Sequence, residues 1–387
     1  MTTAASNRIH MVDALRGMAV MAILLVHCLE HYIYPVYPAD PAPWLKAVDD
    51  ATFGIVFTLF AGKAYAIFAL LFGFTFFIQS HNQEVKGRDF GPRFLWRMVL
   101  LLGFATLNAA FFPAGDVLLL FAIVGVVLFI VRRWSNRALL WAALFFLLQP
   151  VEWYHIIASL IDSSHQLPDL KVDDMYNEVA EYTKAGNFWQ FIWINITLGQ
   201  KASLLWAVNA GRFMQTAGLF ILGFYIGRRS FFTDSAANRR FWTLVLITAA
   251  IAFAPLHILQ QMIATDYAAG TAGQMLAVIF DMWQKFAFTA VLVGSFYLLF
   301  YGTSFGAHTS ALRFYGRMSL TNYIGQSIIG ALIFFPFALS LAPYCGYTLS
   351  LLIGVAVCAL QVAFSRWWLR SHRQGPLESL WHRLTWL

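Results

Sequence analysis

The sequence predicts an all-α fold, a polytopic membrane helical bundle of about ten transmembrane helices with both termini cytoplasmic. Three observations predict it. The first is composition: 60% of the 387 residues are apolar and 12% are charged, whereas a soluble domain runs near 45–50% and 25%. This excludes a soluble single domain, a disordered chain and a nucleic-acid-binding protein. The second is a series of apolar runs near the roughly 20 residues that span a bilayer. The third is the charge of the connections between those runs, which alternates in sign.

The runs fall at about 11–30, 53–79, 97–112, 117–131, 138–160, 203–227, 241–259, 275–301, 320–342 and 347–369. The first lacks a small-residue cleavage site and reads as a retained span rather than a signal peptide. The third and fourth are short and joined by the turn Pro113-Ala114-Gly115-Asp116. An acidic insert at about 162–202 and a short amphipathic tail at about 371–387, opened by Gly375-Pro376, complete a single integral membrane domain.

One set of connections carries the basic residues, among them Arg88, Arg93, Arg97, Arg132, Arg133, Arg228, Arg229, Arg313, Arg317 and Arg370. The other carries Glu30, Asp49, Asp50, Asp116, Asp162, Asp173, Asp174, Glu178 and Asp266. Basic loops stay inside, so both termini are expected in the cytoplasm and the insert outside. The net charge of +7 is thus a matter of orientation. Cys28, Cys345 and Cys358 form no disulfide framework and no metal-binding spacing.

Ionisable groups at membrane depth are costly and each needs a reason. In the first span Asp13, Arg16 and His27 share one helical face: at about 100° per residue, Arg16 and His27 end about 20° apart and Asp13 and His27 about 40° apart. Arg16 and His27 are separated by about 16 Å along the axis. Lys63 lies mid-span, Asn108 and Asp116 near the outer side, and Arg212 about two turns in from outside. Asp281 and Lys285 stand at i and i+4, where each can simply neutralise the other. Arg317, Asn322 and Gln326 gather at the cytoplasmic start of the ninth span, where they can be plain helix-start hydrogen bonders. His27-Cys28-Leu29-Glu30-His31 matches H-x-x-E-H, the inverted zinc-protease order, but a third ligand is missing downstream and no metal is expected.

Several stretches resemble the YeiB-like family of bacterial membrane proteins (domain of unknown function 418). They are Val12 to Val26, Gly62 to Gly73, Gly115 to Ala122, Leu222 to Arg228, Gly316 to Ser327 and Gly375 to Glu378. The first span is also similar to that of transmembrane acyltransferases, the acyltransferase-3-type proteins and heparan-alpha-glucosaminide N-acetyltransferase. In the acyltransferase-3 pattern an Arg precedes a His by eleven residues, as Arg16 precedes His27. YeiB-like proteins often carry Asn where this chain has His27, and His where it has Asn108; the chain departs from the family pattern at both.

The resemblance implies transfer of an acyl group, often acetyl, from cytoplasmic acyl-CoA to an acceptor such as a cell-envelope sugar on the outer side of the bacterial inner membrane. In that reading His27 is the general base, Asp13 orients Arg16, and Arg16, Arg317, Asn322 and Gln326 hold the acyl-CoA. Lys63, Arg212 and Lys285 are candidates to stabilise developing charge. Two other classes stand beside it. A small-molecule transporter would also bury charges, although no pair of Gly- or Pro-broken spans in matching positions is evident. A non-catalytic membrane scaffold would pair them structurally.

Overall fold

A computed structural model describes residues 8–38, 41–113, 115, 117–267 and 269–387. Nineteen α-helices account for most of them, and no strand occurs among the described residues. In chain order they are α1 (His10–Glu30), α2 (Pro43–Phe60), α3 (Lys63–Glu84), α4 (Gly91–Ala109), α5 (Val117–Val124), α6 (Val126–Val131), α7 (Asn136–Leu147), α8 (Pro150–Ile161), α9 (Val172–Ala185) and α10 (Phe188–Ile194). There follow α11 (Gln200–Asn209), α12 (Arg212–Arg228), α13 (Ala236–Met262), α14 (Gly270–Gly302), α15 (Phe305–His308), α16 (Ser310–Arg317), α17 (Ser319–Phe334), α18 (Tyr347–Trp368) and α19 (Pro376–Trp386).

Five helical stretches among the described residues are long and apolar enough to cross a membrane: 10–30, 43–84, 236–267, 270–302 and 347–368. The pair α7 and α8, bent by 50°, makes a sixth when taken as one span. The other expected spans are carried by shorter or broken helices. The ninth ends at Phe334, not near 342, because Pro336 forces Phe335 out of the helical region to φ −91°, ψ 154°.

Burial separates centre from periphery. The most apolar window of α1 is 78% buried, whereas that of α13 is 6% buried despite equal or greater hydropathy. An apolar helix left bare to this degree fits hydrocarbon, not water, around it. The chain is a helical membrane protein.

Small residues set the close contacts around α1 and α3. A methyl group at Gly17 would fall on the Leu312 carbonyl, and one at Gly316 on the Asp13 carbonyl, so α16 packs backbone to backbone on α1. Gly73 meets the Phe220 carbonyl and Gly223 the Leu70 carbonyl in the same way, which joins α3 to α12.

Three runs that hydropathy reads as continuous are broken: at Gly62 (φ +75°), Gln149 (φ +62°) and Gly211 (φ +64°). The left-handed backbone at each ends one helix and begins the next. Mean hydropathy over each run gives no sign of these breaks.

Candidate functional site

Breaking α2/α3 and α11/α12 leaves room in the bundle, and a cavity of about 950 Å³ fills it, lined by α1, α2, α3, α5, α11, α12, α13, α14 and the insert helix α9. It lies at the end of the bundle that carries the acidic insert, since Asp173 and Tyr176 line its mouth together with Glu30 and Tyr34.

Five of the residues singled out in the sequence meet here: His27, Lys63, Arg212, Asp281 and Lys285. His27 is 8% exposed and its Nδ1 is buried without a hydrogen-bond partner. Its ring packs 4.4 Å from Phe112 and edge-on to His31 at 5.5 Å. Lys63, the first residue of α3, has its ammonium 3.5 Å from the Phe57 carbonyl and 5.6 Å from the Phe288 ring centre. Arg212, the first residue of α12, donates to Gln215 Oε1 at 2.9 Å. Its guanidinium lies over Tyr65 at 4.8 Å and Trp206 at 5.8 Å. Tyr65 is itself fixed by a hydroxyl contact with Thr216. Lys285 donates to Asp281 Oδ2 at 2.5 Å, the mutual neutralisation that the i, i+4 spacing allows.

The remaining candidates lie elsewhere. Asp13 accepts from Arg8 at 2.5 Å and from Arg16 at 3.3 Å, and Arg16 also donates to Thr75 Oγ1 at 3.0 Å. None of Asp13, Arg16, Asn108, Arg317, Asn322 or Gln326 lines the cavity. Asn322 is a structural pin: its side-chain amide donates to the Tyr315 carbonyl at 3.0 Å and to Ser365 Oγ at 3.1 Å. Arg317 reaches the Arg373 carbonyl at 3.1 Å. Asn108 accepts from Ser327 Oγ at 2.7 Å. Gln326 is fully buried, and its side-chain N and O have no hydrogen-bond partner. Asp116 lies outside the described residues.

The 226–387 segment, more than the last third of the chain, matches the family described as "Protein of unknown function (DUF418)". The whole chain is 28% identical to the uncharacterized protein YxaH of Bacillus subtilis (strain 168), covering 100% of this chain and 96% of that protein. It is 27% identical to the uncharacterized protein YeiB of Escherichia coli (strain K12), covering 96% and 95%. Over its C-terminal segment the chain is similar to the DUF418 family. A third relative, an uncharacterized 39.9 kDa protein in the amylase 3′ region of Bacillus acidopullulyticus, is 24% identical over 99% of this chain.

Most of the cavity is built by residues before 226, outside the matched segment. Sequence reasoning missed His257, which lines the cavity from α13 with its Nδ1 buried and unpartnered. It also left His31 in a metal pattern; here it lines the cavity beside His27, 3.7 Å from Glu30. Among the described residues no three His, Cys, Asp or Glu side chains are grouped to hold a metal ion. Pro255, two residues before His257 in the middle of α13, was the available signal.

Proposed function

We propose that this protein is a multi-pass enzyme of the bacterial inner membrane that moves an acyl group, acetyl in the simplest case, from cytoplasmic acyl-CoA to an acceptor held in the cavity, such as an envelope sugar. The observation that carries the reading is His27. It is a buried imidazole that lines the cavity, and its Nδ1 has no hydrogen-bond partner among the described residues.

The proposed topology has ten passages, counting α2/α3, α5/α6, α7/α8 and α11/α12 as one each, with both termini cytoplasmic and the cavity mouth outside. The alternation of basic and acidic connections supports it.

An imidazole with a free ring nitrogen suits the removal of a proton from a sugar hydroxyl or amine as it attacks a thioester carbonyl. The proton taken by His27 then passes to the departing CoA thiolate. Lys63, Arg212 and Lys285 bias the cavity toward negatively charged or charge-developing species. On the tail side, Arg8, Arg16 and Arg317 surround Asp13 closely enough to interact electrostatically. That basic cluster is where the anionic end of acyl-CoA would dock, about 16 Å along α1 from His27. Asn322 is removed from this donor site, because its amide is spent on Tyr315 and Ser365.

The test is transfer of label from acetyl-CoA by purified protein supplied with envelope glycans. His27→Ala is expected to lower the rate about 10²–10⁴-fold; unchanged turnover would overturn the assignment.

A second reading, transport of an anionic solute, is favoured by the breaks at Gly62 and Gly211, which turn two helix N-termini toward the cavity. Solute flux into liposomes without acyl-CoA turnover would select it.

A further inference from the structure

The cavity holds more positive charge than its own residues neutralise. Lys63 and Arg212 are 5% and 7% exposed, and neither makes an ion pair among the described residues; their polar contacts are the Phe57 carbonyl and the Gln215 amide. The carboxylate in their midst, Asp281, is committed to Lys285 and to the Gln284 amide at 3.2 Å. The other acids that line the cavity, Glu30 and Asp173, are exposed toward its mouth.

The three cations also converge. Lys63, Arg212 and Lys285 are close enough to repel one another. A side chain at Gly62 would place its first carbon 2.8 Å from Lys285 Cδ and 3.1 Å from Arg212 Nη2. Glycine is thus required there twice, for its left-handed φ and for the space through which the cations approach. Helices α3 and α12 both start at this point with no side-chain cap, so their first-turn N–H groups add positive potential. The Tyr65, Trp206 and Phe288 rings ease the desolvation of the cations but leave most of their N–H donors unused.

Mutual repulsion of buried like charges is costly and is relieved by a counter-anion. Three cations against Asp281, with Glu30 acting on Lys285 only from the exposed mouth, leave the inner cluster with an excess of positive charge. We infer that Lys63, Arg212 and Lys285, gathered around Gly62, form a binding site for a phosphate ester group carrying two negative charges. The Arg212 fork matches two phosphate oxygens, and the lysines act as point charges. A phosphate fills a small part of the 950 Å³, so the rest of a phosphorylated molecule fits beside it, toward His27. The site does not depend on the acyl-transfer reading, and its test contains no acyl donor.

Inorganic phosphate is the probe, with the purified full chain in detergent. Phosphate is expected to raise the thermal midpoint above that in chloride of equal ionic strength, and calorimetry is expected to show saturable binding. Lys63→Gln and Arg212→Gln should each weaken phosphate binding about tenfold or more, while Arg133→Gln at an exposed cation leaves it unchanged. In nanodiscs, displacement of phosphate by phosphatidic acid but not phosphatidylcholine identifies a lipid headgroup as the source. Displacement by a soluble sugar phosphate identifies a water-borne ester; either result supports the site. Equal behaviour of the native protein in phosphate and chloride overturns it, whether or not the variants fold. Phosphate binding untouched by both substitutions overturns it as well.

Discussion

At the scale of the residue, the chain spends its glycines where backbone meets backbone. Gly73 and Gly223 each occupy a position where an added methyl would strike a carbonyl of the facing helix. Gly103 has open space at the same position. Gly223→Ala is therefore expected to lower stability by about 1–3 kcal/mol or more, read as a reduced melting temperature in detergent. Gly103→Ala should be neutral or slightly stabilising, because alanine favours a helix. Single residues also mark how far the site could be read in advance. The cost of burying charge picks out His27, Lys63, Arg212 and Lys285 from sequence, and they do share one cavity. The same criterion picks out Asn322 and Gln326, which lie away from it. Cost alone does not distinguish a polar group kept for a ligand from one kept to pin two helices, because that depends on neighbours from distant parts of the chain, such as Ser365 opposite Asn322.

At the scale of the element, helix ends do the joining. The tail helix α19 is fastened to the bundle by Glu378, which accepts from the Leu320 and Thr321 N–H groups at 2.7 and 3.1 Å and from Thr321 Oγ1 at 2.6 Å. It thereby satisfies the free N-terminus of α17 from another part of the chain. Arg97 completes the clasp, stacked 4.0 Å over Trp381 and donating to Thr385 at 3.1 Å. Glu378→Ala should cost about 1–2 kcal/mol and make the 371–387 tail cleavable in limited proteolysis. At the start of α4, Asp89 accepts from Gly91 N–H at 2.8 Å and pairs with Arg132 and Arg133. Its carboxyl is held below the ordinary carboxylate range, chiefly by the Gly91 N–H and then by Arg132 and Arg133. A lowered folded-state value means that the contribution is present at neutral pH and lost as the pH falls through that value. Asp89→Asn should thus cost a few tenths to about 1 kcal/mol at pH 7, and its melting temperature should converge on that of the native protein in acid. The positions of these helices were mostly legible from apolar periodicity, but their breaks were not. Hydropathy averaged over a span is blind to one left-handed residue, although Pro150 after Gln149 marks one break in the sequence.

At the scale of the whole molecule, the proposed topology makes its own prediction. Reporter fusions at the C-terminus should report cytoplasm, and a cysteine placed in the exposed 162–170 segment should react with an impermeant thiol reagent in intact cells. The native Cys28, Cys345 and Cys358 are buried and should give little background. An exposed C-terminus with a protected insert would reverse the orientation and turn the cavity mouth toward the cytoplasm. The proposed ten passages rest on charge alternation, which is legible because loop charge is a local property. The cavity is not, because it arises from the packing of nine helices drawn from the first three-quarters of the chain.

The glycine contacts between α3 and α12 carry a further consequence. Because each helix presses its backbone into the other at Gly73 and Gly223, Lys63 and Arg212 ride at the upper ends of a single welded strut. Their spacing is set by that weld and does not adjust to what enters. Lys285 and Asp281 belong to α14, whose principal neighbour is the largely bare α13. Any adjustment of the chamber to its contents is therefore expected at the α13–α14 hairpin, the wall beside a fixed post, and not between α3 and α12.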